Sequence, residues 1–205
     1  DGDAIGSSLG LKHYLEQLGH TVKVAVPSES PTFLSWMPGA SQILIYDLHQ
    51  EEVKRVLEKP DIVFCLDFNS LERIDRMGEL IAPLKAKKIL IDHHLYPEPF
   101  YDYELHDTTA SSTCELVFDF INHMGDKGKI DVKVAECLFT GILTDTGSFK
   151  YSTSPKLFRL VAELLELGVD DVRVQDLVFN SLDEKHLRLI GLVLHERMEV
   201  LDEFR

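Results

Sequence analysis

Ile89-Leu90-Ile91-Asp92-His93-His94 is the stretch whose reading decides the fold. A β-branched and leucine run closed by a polar residue reads as a buried strand reaching its carboxyl end. In open parallel α/β sheets, ligands bind outside those carboxyl ends. Here that position carries one carboxylate and two imidazoles in succession, a dense supply of metal ligands and proton donors. The plain alternative is a polar strand end with two solvated histidines.

Working outward, strands and helices alternate along the chain. Residues 4–18 read as an amphipathic helix, with Ile5, Leu9, Leu11, Leu15 and Leu18 on one side and Gly19 as its stop. Strands are expected over 21–26, ended by Pro27, over 42–46, and over 61–66, where Asp67 stands at the end. Helices are expected over 49–58, before Pro60, and over 73–84, which leads to the strand 88–91. After the proline-rich 96–103 come helices over 111–124 and 132–144, the second closing at Asp145-Thr146-Gly147. Ser154 and Pro155 suit the cap and first turn of a helix ending at Gly168. A last helix, near 183–202, carries Leu187, Ile190, Leu194 and Leu201 at three- and four-residue steps.

This alternation implies an α/β fold, a parallel β-sheet flanked by helices on both faces. The chain opens on Asp1-Gly2-Asp3, with no methionine and no strand before it, so a first strand is expected upstream. Residues 1–180 are expected to form the domain, and 181–205 a linker helix toward a second domain outside this chain.

At 205 residues the chain is long enough for one good core, and 44% hydrophobic with 27% charged residues is an ordinary globular composition. No apolar run approaches the roughly 18 residues of a membrane span, and no signal-peptide pattern is present. Cys65, Cys114 and Cys137 lie far apart inside apolar segments, which suits reduced, buried thiols in a cytoplasmic protein. The formal net charge of -14 repels a long polyanion, so duplex DNA and long RNA are poor partners. A small phosphate substrate stays compatible, because two divalent cations would add about four positive charges locally.

The acidic residues at element ends form a pattern. Asp1 and Asp3 flank Gly2, which permits a tight turn aiming both carboxylates at one point. Asp67 closes a buried strand. Asp145 ends a helix that otherwise reads as core, where an acid opposes the helix dipole. Each has an ordinary structural explanation, such as a loop, a cap or a turn. Together with His93 they place five oxygen or imidazole donors on one edge of a parallel sheet. That set suits a pair of hard, octahedral ions such as Mn²⁺ or Mg²⁺ rather than a thiolate zinc site.

Four segments match a family in order: Asp1-Gly2-Asp3-Ala4-Ile5-Gly6-Ser7, Leu66-Asp67-Phe68-Asn69, Asp92-His93-His94, and Gly141-Ile142-Leu143-Thr144-Asp145-Thr146-Gly147-Ser148-Phe149. They resemble the motifs of the DHH phosphoesterases, the RecJ-like superfamily. Within it the likeness is nearest to the DHH/DHHA1 enzymes with nanoRNase (oligoribonuclease) and 3′-phosphoadenosine-5′-phosphate phosphatase activity.

The resemblance implies a Mn²⁺-dependent phosphoesterase. Asp3, His93 and Asp145 would hold one ion, Asp67 would bridge to a second, and Asp1 would bind the second with a histidine upstream. His94 would sit near the scissile phosphate and Asp92 would orient its neighbours. Gly6 and Ser7 would serve close helix approach and capping. The substrate would be a short oligoribonucleotide or nucleotide, with much of its affinity from a glycine-rich C-terminal domain. No such motif occurs in this chain. The oligomeric state stays open, a homodimer among the options.

Other residues carry weaker signals. Thr108-Thr109-Ala110-Ser111-Ser112-Thr113 reads as a helix cap, with lining of the site as the alternative. Lys150 is either a phosphate contact or an exposed lysine. His13, His20, His49, His106, His123, His186 and His195 lack clustered partners and read as surface residues. Phe33 and Trp36 read as a hydrophobic plug before they read as a base-stacking pair. The rival functions are an exopolyphosphatase or pyrophosphatase, a cyclic-dinucleotide phosphodiesterase, and a metal-binding module without catalysis.

Overall fold

The computed structural model describes residues 1–180 and 184–201. Its strands are all parallel and are flanked by helices. Helix α1 (Gly2–Gln17) leads to β1 (Ala25–Val26), β2 (Leu44–Ile45) and α2 (Tyr46–Leu57). Next come β3 (Ile62–Leu66), α3 (Met77–Ile81), β4 (Lys87–Asp92) and β5 (Tyr103–His106). Five helices follow: α4 (Thr113–His123), α5 (Val132–Asp145), α6 (Pro155–Glu166), α7 (Asp171–Phe179) and α8 (Glu184–Glu196).

The strands form two ladders rather than one continuous sheet. β1 pairs with β2, and β3, β4 and β5 pair in that order. Register aligns Leu66 with Ile91 and Asp92 with His106. The carboxyl ends of β3 and β4 therefore lie side by side. Side chains alternate across a strand, so β4 serves two cores. Ile89 and Ile91 pack with Leu138, Ile142 and Val117 beneath α1, α4 and α5. Leu90 and Cys65 face Val53, Ile74 and Met77 beneath α2 and α3. Both faces of this ladder are covered, which is what a buried parallel sheet requires.

Several elements depart from the sequence reading. The expected strands 21–26 and 42–46 shrink to two residues each. The helix expected over 49–58 starts at Tyr46, with a kink at His49, whose Nδ1 accepts from the Ile45 N–H. The helix expected over 73–84 is broken. Leu71–Ile74 is a 3-10 turn, Asp75 takes φ +50°, and only Met77–Ile81 is α-helical. β5 emerges from the end of the proline-rich stretch, where its register with β4 supplies hydrogen bonds that local composition does not announce. α7 was not expected either.

The later helices follow their sequence signals closely. Ser112 caps α4, Asp131 caps α5 and Ser154 caps α6, with Pro155 in its first turn. Gly168, just past α6, has φ +101°. The last helix occupies Glu184–Glu196; positions 183 and 202 of its expected span lie outside the described residues. Every residue from Glu184 to Leu201 is exposed. No helix among the described residues is long and apolar enough to cross a membrane. The three cysteines are free and buried.

α1 packs most extensively against α5, and glycines permit the close approach. A Cβ on Gly6 would lie 2.5 Å from the Cys137 carbonyl oxygen, and one on Gly141 would overlap Cys114 Sγ. Ser7 does not cap the helix: its hydroxyl donates to the Asp3 carbonyl oxygen at 2.7 Å. This tight crossing places the amino end of α1 beside the carboxyl end of α5, which is where Asp3 and Asp145 stand.

Candidate metal centre

Asp67 ends β3 in the left-handed region, φ +65°, a conformation Asp tolerates better than most residues. Its N–H donates to the Ile91 carbonyl at 3.1 Å, which ties the two strand ends together. Its Oδ1 accepts from the Thr113 hydroxyl at 3.0 Å.

One strand over, β4 delivers Asp92, His93 and His94. Asp92 is fully buried, and its Oδ1 holds His94 Nδ1 at 2.7 Å. That bond assigns the Nδ1 proton to His94 and leaves Nε2 as its free nitrogen. His93 is held the same way from the other side, with Nδ1 against the Ala110 carbonyl at 3.4 Å. Its Nε2 points at three carboxylates: Asp145 at 3.3 Å, Asp67 at 3.6 Å and Asp3 at 3.9 Å.

Asp3 comes from the first turn of α1 and is completely buried. Its two oxygens accept the Thr113 and Cys114 N–H groups at 2.6 and 2.9 Å, at the amino end of α4. Those are unpaired donors of a helix start, where negative charge is favoured. Asp145 closes α5. Past it, Gly147, Ser148 and Phe149 run in succession at positive φ, a reversal held by Thr146, whose hydroxyl accepts from Phe149 N–H.

Two donor groups result, Asp3 with His93 and Asp145, and Asp67 with His93 and His94, the atoms of each lying within 4.8 Å of one another. Asp1 falls outside both groups. It is exposed, and its carboxylate caps α1 by accepting from the Asp3 N–H at 3.0 Å.

The electrostatics are those of crowded acids. Burial, then the charges of Asp67 and Asp145, hold the Asp3 carboxyl well above the usual carboxylate range. Burial and Asp67 raise Asp145, against the opposing pull of His93 and His94. For His93, burial acts to lower the pKa. The neighbouring Asp67 carboxylate and the charges of Asp3 and Asp145 outweigh it, and the ring is pushed up to about 9. Without a cation, the imidazolium of His93 is the local counter-charge.

Some site neighbours escaped the sequence reading. His106 is half-buried, and its Nε2 lies 2.6 Å from the His94 carbonyl oxygen, so it belongs to the support of the site rather than the surface. His13 is half-buried as well, on the Pro38 carbonyl at 2.9 Å. His20, His49, His123, His186 and His195 are exposed, as is Lys150. Ser112 caps α4 as expected, but Thr113 next to it touches Asp3 and Asp67. Trp36 and Phe33 pack into the core, Trp36 under the Arg173 guanidinium at 5.2 Å from the ring centre, consistent with a plug.

Comparison with known proteins gives concordant findings. Residues 1–142 match the model of the DHH family, N-terminal domain. The bifunctional oligoribonuclease and PAP phosphatase NrnA of Thermus thermophilus is 35% identical over 198 residues, 95% of this chain and 55% of that protein. Its counterpart in Bacillus subtilis is 30% identical over 94% of this chain and 56% of its own length. The crystal structure of an exopolyphosphatase-related protein from Bacteroides fragilis superposes with a TM-score of 0.96 at 45% identity, covering all of this chain and 60% of that one. The chain thus spans a little over half the length of the curated relatives it matches.

Proposed function

The chain belongs to the DHH family, and on that footing we propose that it is the metal-binding part of a two-metal phosphoesterase. Its reaction is hydrolysis of phosphoester bonds in short oligoribonucleotides or in 3′-phosphoadenosine-5′-phosphate, with Mn²⁺, or Mg²⁺ in its place. The observation that carries this reading is the convergence of Asp3, Asp67, Asp145, His93 and His94 in two overlapping donor groups.

The residues fit hard divalent ions. All donors are oxygen or imidazole nitrogen. Around a six-coordinate ion at about 2.1 Å, neighbouring donors stand ~3 Å apart and opposite ones ~4.2 Å. His93 Nε2 lies between 3.3 and 3.9 Å from its three carboxylate partners. The raised carboxyls of Asp3 and Asp145 supply a second support, since a dication turns their mutual repulsion into shared attraction. Asp3, His93 and Asp145 would hold one ion and Asp67 would bridge to another. Asp1 would serve the second ion by exchanging its cap contact for coordination.

Bound divalent cations lower the pKa of a shared water toward neutrality and offset charge on the phosphoryl oxygens. The chain's own groups do the rest. Asp92 fixes the His94 ring through Nδ1, and when the ring takes up a second proton its Nε2–H would donate a hydrogen bond or proton as charge builds on the phosphoryl group. No serine is needed as nucleophile. Ser7, Ser111 and Ser112 spend their hydroxyls on Asp3, Glu115 and the α4 cap.

Residues 1–180 are read as the metal-bearing domain and 181–205 as its connection to a second domain; the exposure of Glu184–Leu201 supports this. The buried free thiols support a reducing, cytoplasmic setting. A polyphosphate substrate is the second reading, favoured by likeness to the exopolyphosphatase-related structure and weakened by a net charge of -14.

The test supplies Mn²⁺ with a dinucleotide, 3′-phosphoadenosine-5′-phosphate, pyrophosphate, a short polyphosphate and a cyclic dinucleotide in parallel. Release of mononucleotide or of phosphate from the first two is expected. Turnover of pyrophosphate or polyphosphate alone sinks the substrate assignment.

A further inference from the structure

We propose that Glu115, braced by Lys156, is a positioning residue of the metal centre. It acts through the loop Ala110–Thr113 and touches none of the donor atoms itself. The inference rests on the reading of the centre given above.

That loop and the adjoining Cys114 contact three of the donor residues, His93, Asp3 and Asp67. The Ala110 carbonyl orients His93, the Thr113 and Cys114 N–H groups hold Asp3, and the Thr113 hydroxyl holds Asp67. Something must hold the loop, because carbonyl, N–H and hydroxyl have to point at three different residues at once.

Glu115 does this. Its Oε2 accepts both the Ser111 N–H and the Ser111 hydroxyl, each at 2.9 Å. Its Oε1 lies 2.9 Å from Lys156 Nζ, which also reaches Asp119 at 2.6 Å. The carboxylate is only 3% exposed, so it is a buried charge with partners on both oxygens.

An ordinary helix cap does not account for this arrangement. Ser112-Thr113-Cys114-Glu115 has the capping-box pattern, in which the glutamate returns to the N–H of the cap residue itself. Ser112 performs its half, accepting from Glu115 N–H at 3.1 Å. Glu115 reaches past it to Ser111, one residue nearer Ala110 and His93. Lys156 adds a second link. It sits in the first turn of α6, just beyond the reversal that follows Asp145. The ion pair thereby ties the loop serving Asp3, Asp67 and His93 to the start of α6.

Partners that orient metal ligands from behind are worth about 10–100-fold in metal affinity when removed. The test is titration of Mn²⁺ into the metal-free chain by calorimetry, with thermal unfolding of every variant. Glu115→Leu fills the same space but accepts nothing. Glu115→Gln keeps an oxygen for Ser111. Ser111→Ala removes only the hydroxyl, and Tyr14→Phe serves as a remote control, since Tyr14 bonds Asp126 away from the site.

Glu115→Leu is expected to weaken Mn²⁺ binding about 10–100-fold, with Glu115→Gln restoring most of it. Ser111→Ala should fall between, and Tyr14→Phe should leave affinity unchanged. Wild-type affinity in a folded Glu115→Leu chain overturns the proposal. So does a loss in Tyr14→Phe that matches its loss of thermal stability, which would make the effect general. If Glu115→Leu does not fold, wild-type affinity in both Ser111→Ala and Lys156→Gln overturns it instead. Absence of Mn²⁺ and Mg²⁺ binding by the wild type is a different failure. It removes the reading of the metal centre, and this inference with it.

Discussion

The acidic site is supplied from two sides that use different physics. On the sheet side, Asp67, His93 and His94 leave the ends of β3 and β4, and the parallel register alone brings them together. On the helical side, Asp3 and Asp145 come from opposite ends of α1 and α5, and they meet only because glycines let the two helices nearly touch. Register is maintained by a whole ladder and tolerates changes at its last residue. A helix crossing built on missing side chains does not tolerate their return. Chemistry should therefore be separable from stability on the sheet side and inseparable from it on the helical side.

The largest effect expected from this contrast is at Asp67. Asp67→Asn keeps a side chain that tolerates φ +65° and can still accept from Thr113. It removes the shared negative charge. Hydrolysis should fall on the order of a thousandfold or more. The metal-free chain should melt at nearly the same temperature, since losing the Asp67 charge relieves the raised Asp3 and Asp145 carboxyls but also removes a partner of the His93 imidazolium. Paired turnover and thermal-unfolding measurements check it, and a clear drop in the metal-free melting temperature would break the comparison.

Gly141→Val makes the opposite trade. The added side chain meets Cys114 Sγ and Asp3, and overpacking of this kind costs about 1–3 kcal/mol or more. Denaturant unfolding of the metal-free chain should show that loss together with weakened Mn²⁺ binding, because the shift falls on Asp3. Loss of stability with unchanged metal affinity would mean that the crossing does not position the carboxylate.

A smaller effect is expected from pH, acting on the residue where the two sides meet. In the metal-free chain the acids around His93 push its ring up to about 9, above the ordinary value of about 6.5. Its contribution to metal-free stability is thus fully present below about 6.5 and is lost as pH rises through about 9. A cation needs the neutral ring, so binding displaces that proton. Mn²⁺ affinity should rise about tenfold per pH unit from 7 toward 8 for one displaced proton. Proton uptake by buffers of different ionisation enthalpy measures the count, and pH-independent affinity would remove His93 from the ligand set.

The sheet side was the more legible in sequence for the same reason that it is robust. Asp67 and His93 each follow an apolar run, and a strand end is a local signal. α5 and the Ser154-Pro155 start of α6 were also readable, since caps and helical periodicity act over a few residues. Asp75 was not: its positive φ breaks the helix expected over 73–84 without any glycine to announce it. His106 and Thr113 read as a surface histidine and part of a cap, because their partners, His94 and the Asp3–Asp67 pair, are remote in sequence.

The sequence by itself determined the alternation of parallel strands and helices, the family motifs in order, and the donor types, all of which depend on neighbours within a turn or a strand. Only the tertiary structure decided which oxygens face His93 Nε2, that Asp1 caps a helix outside both donor groups, that the strands form two ladders, and that Glu115 stands behind the loop. Those depend on contacts such as Thr113 to Asp3, 110 residues apart. Packing α1 against both α4 and α5 fixes such pairs, and local propensity carries no record of it.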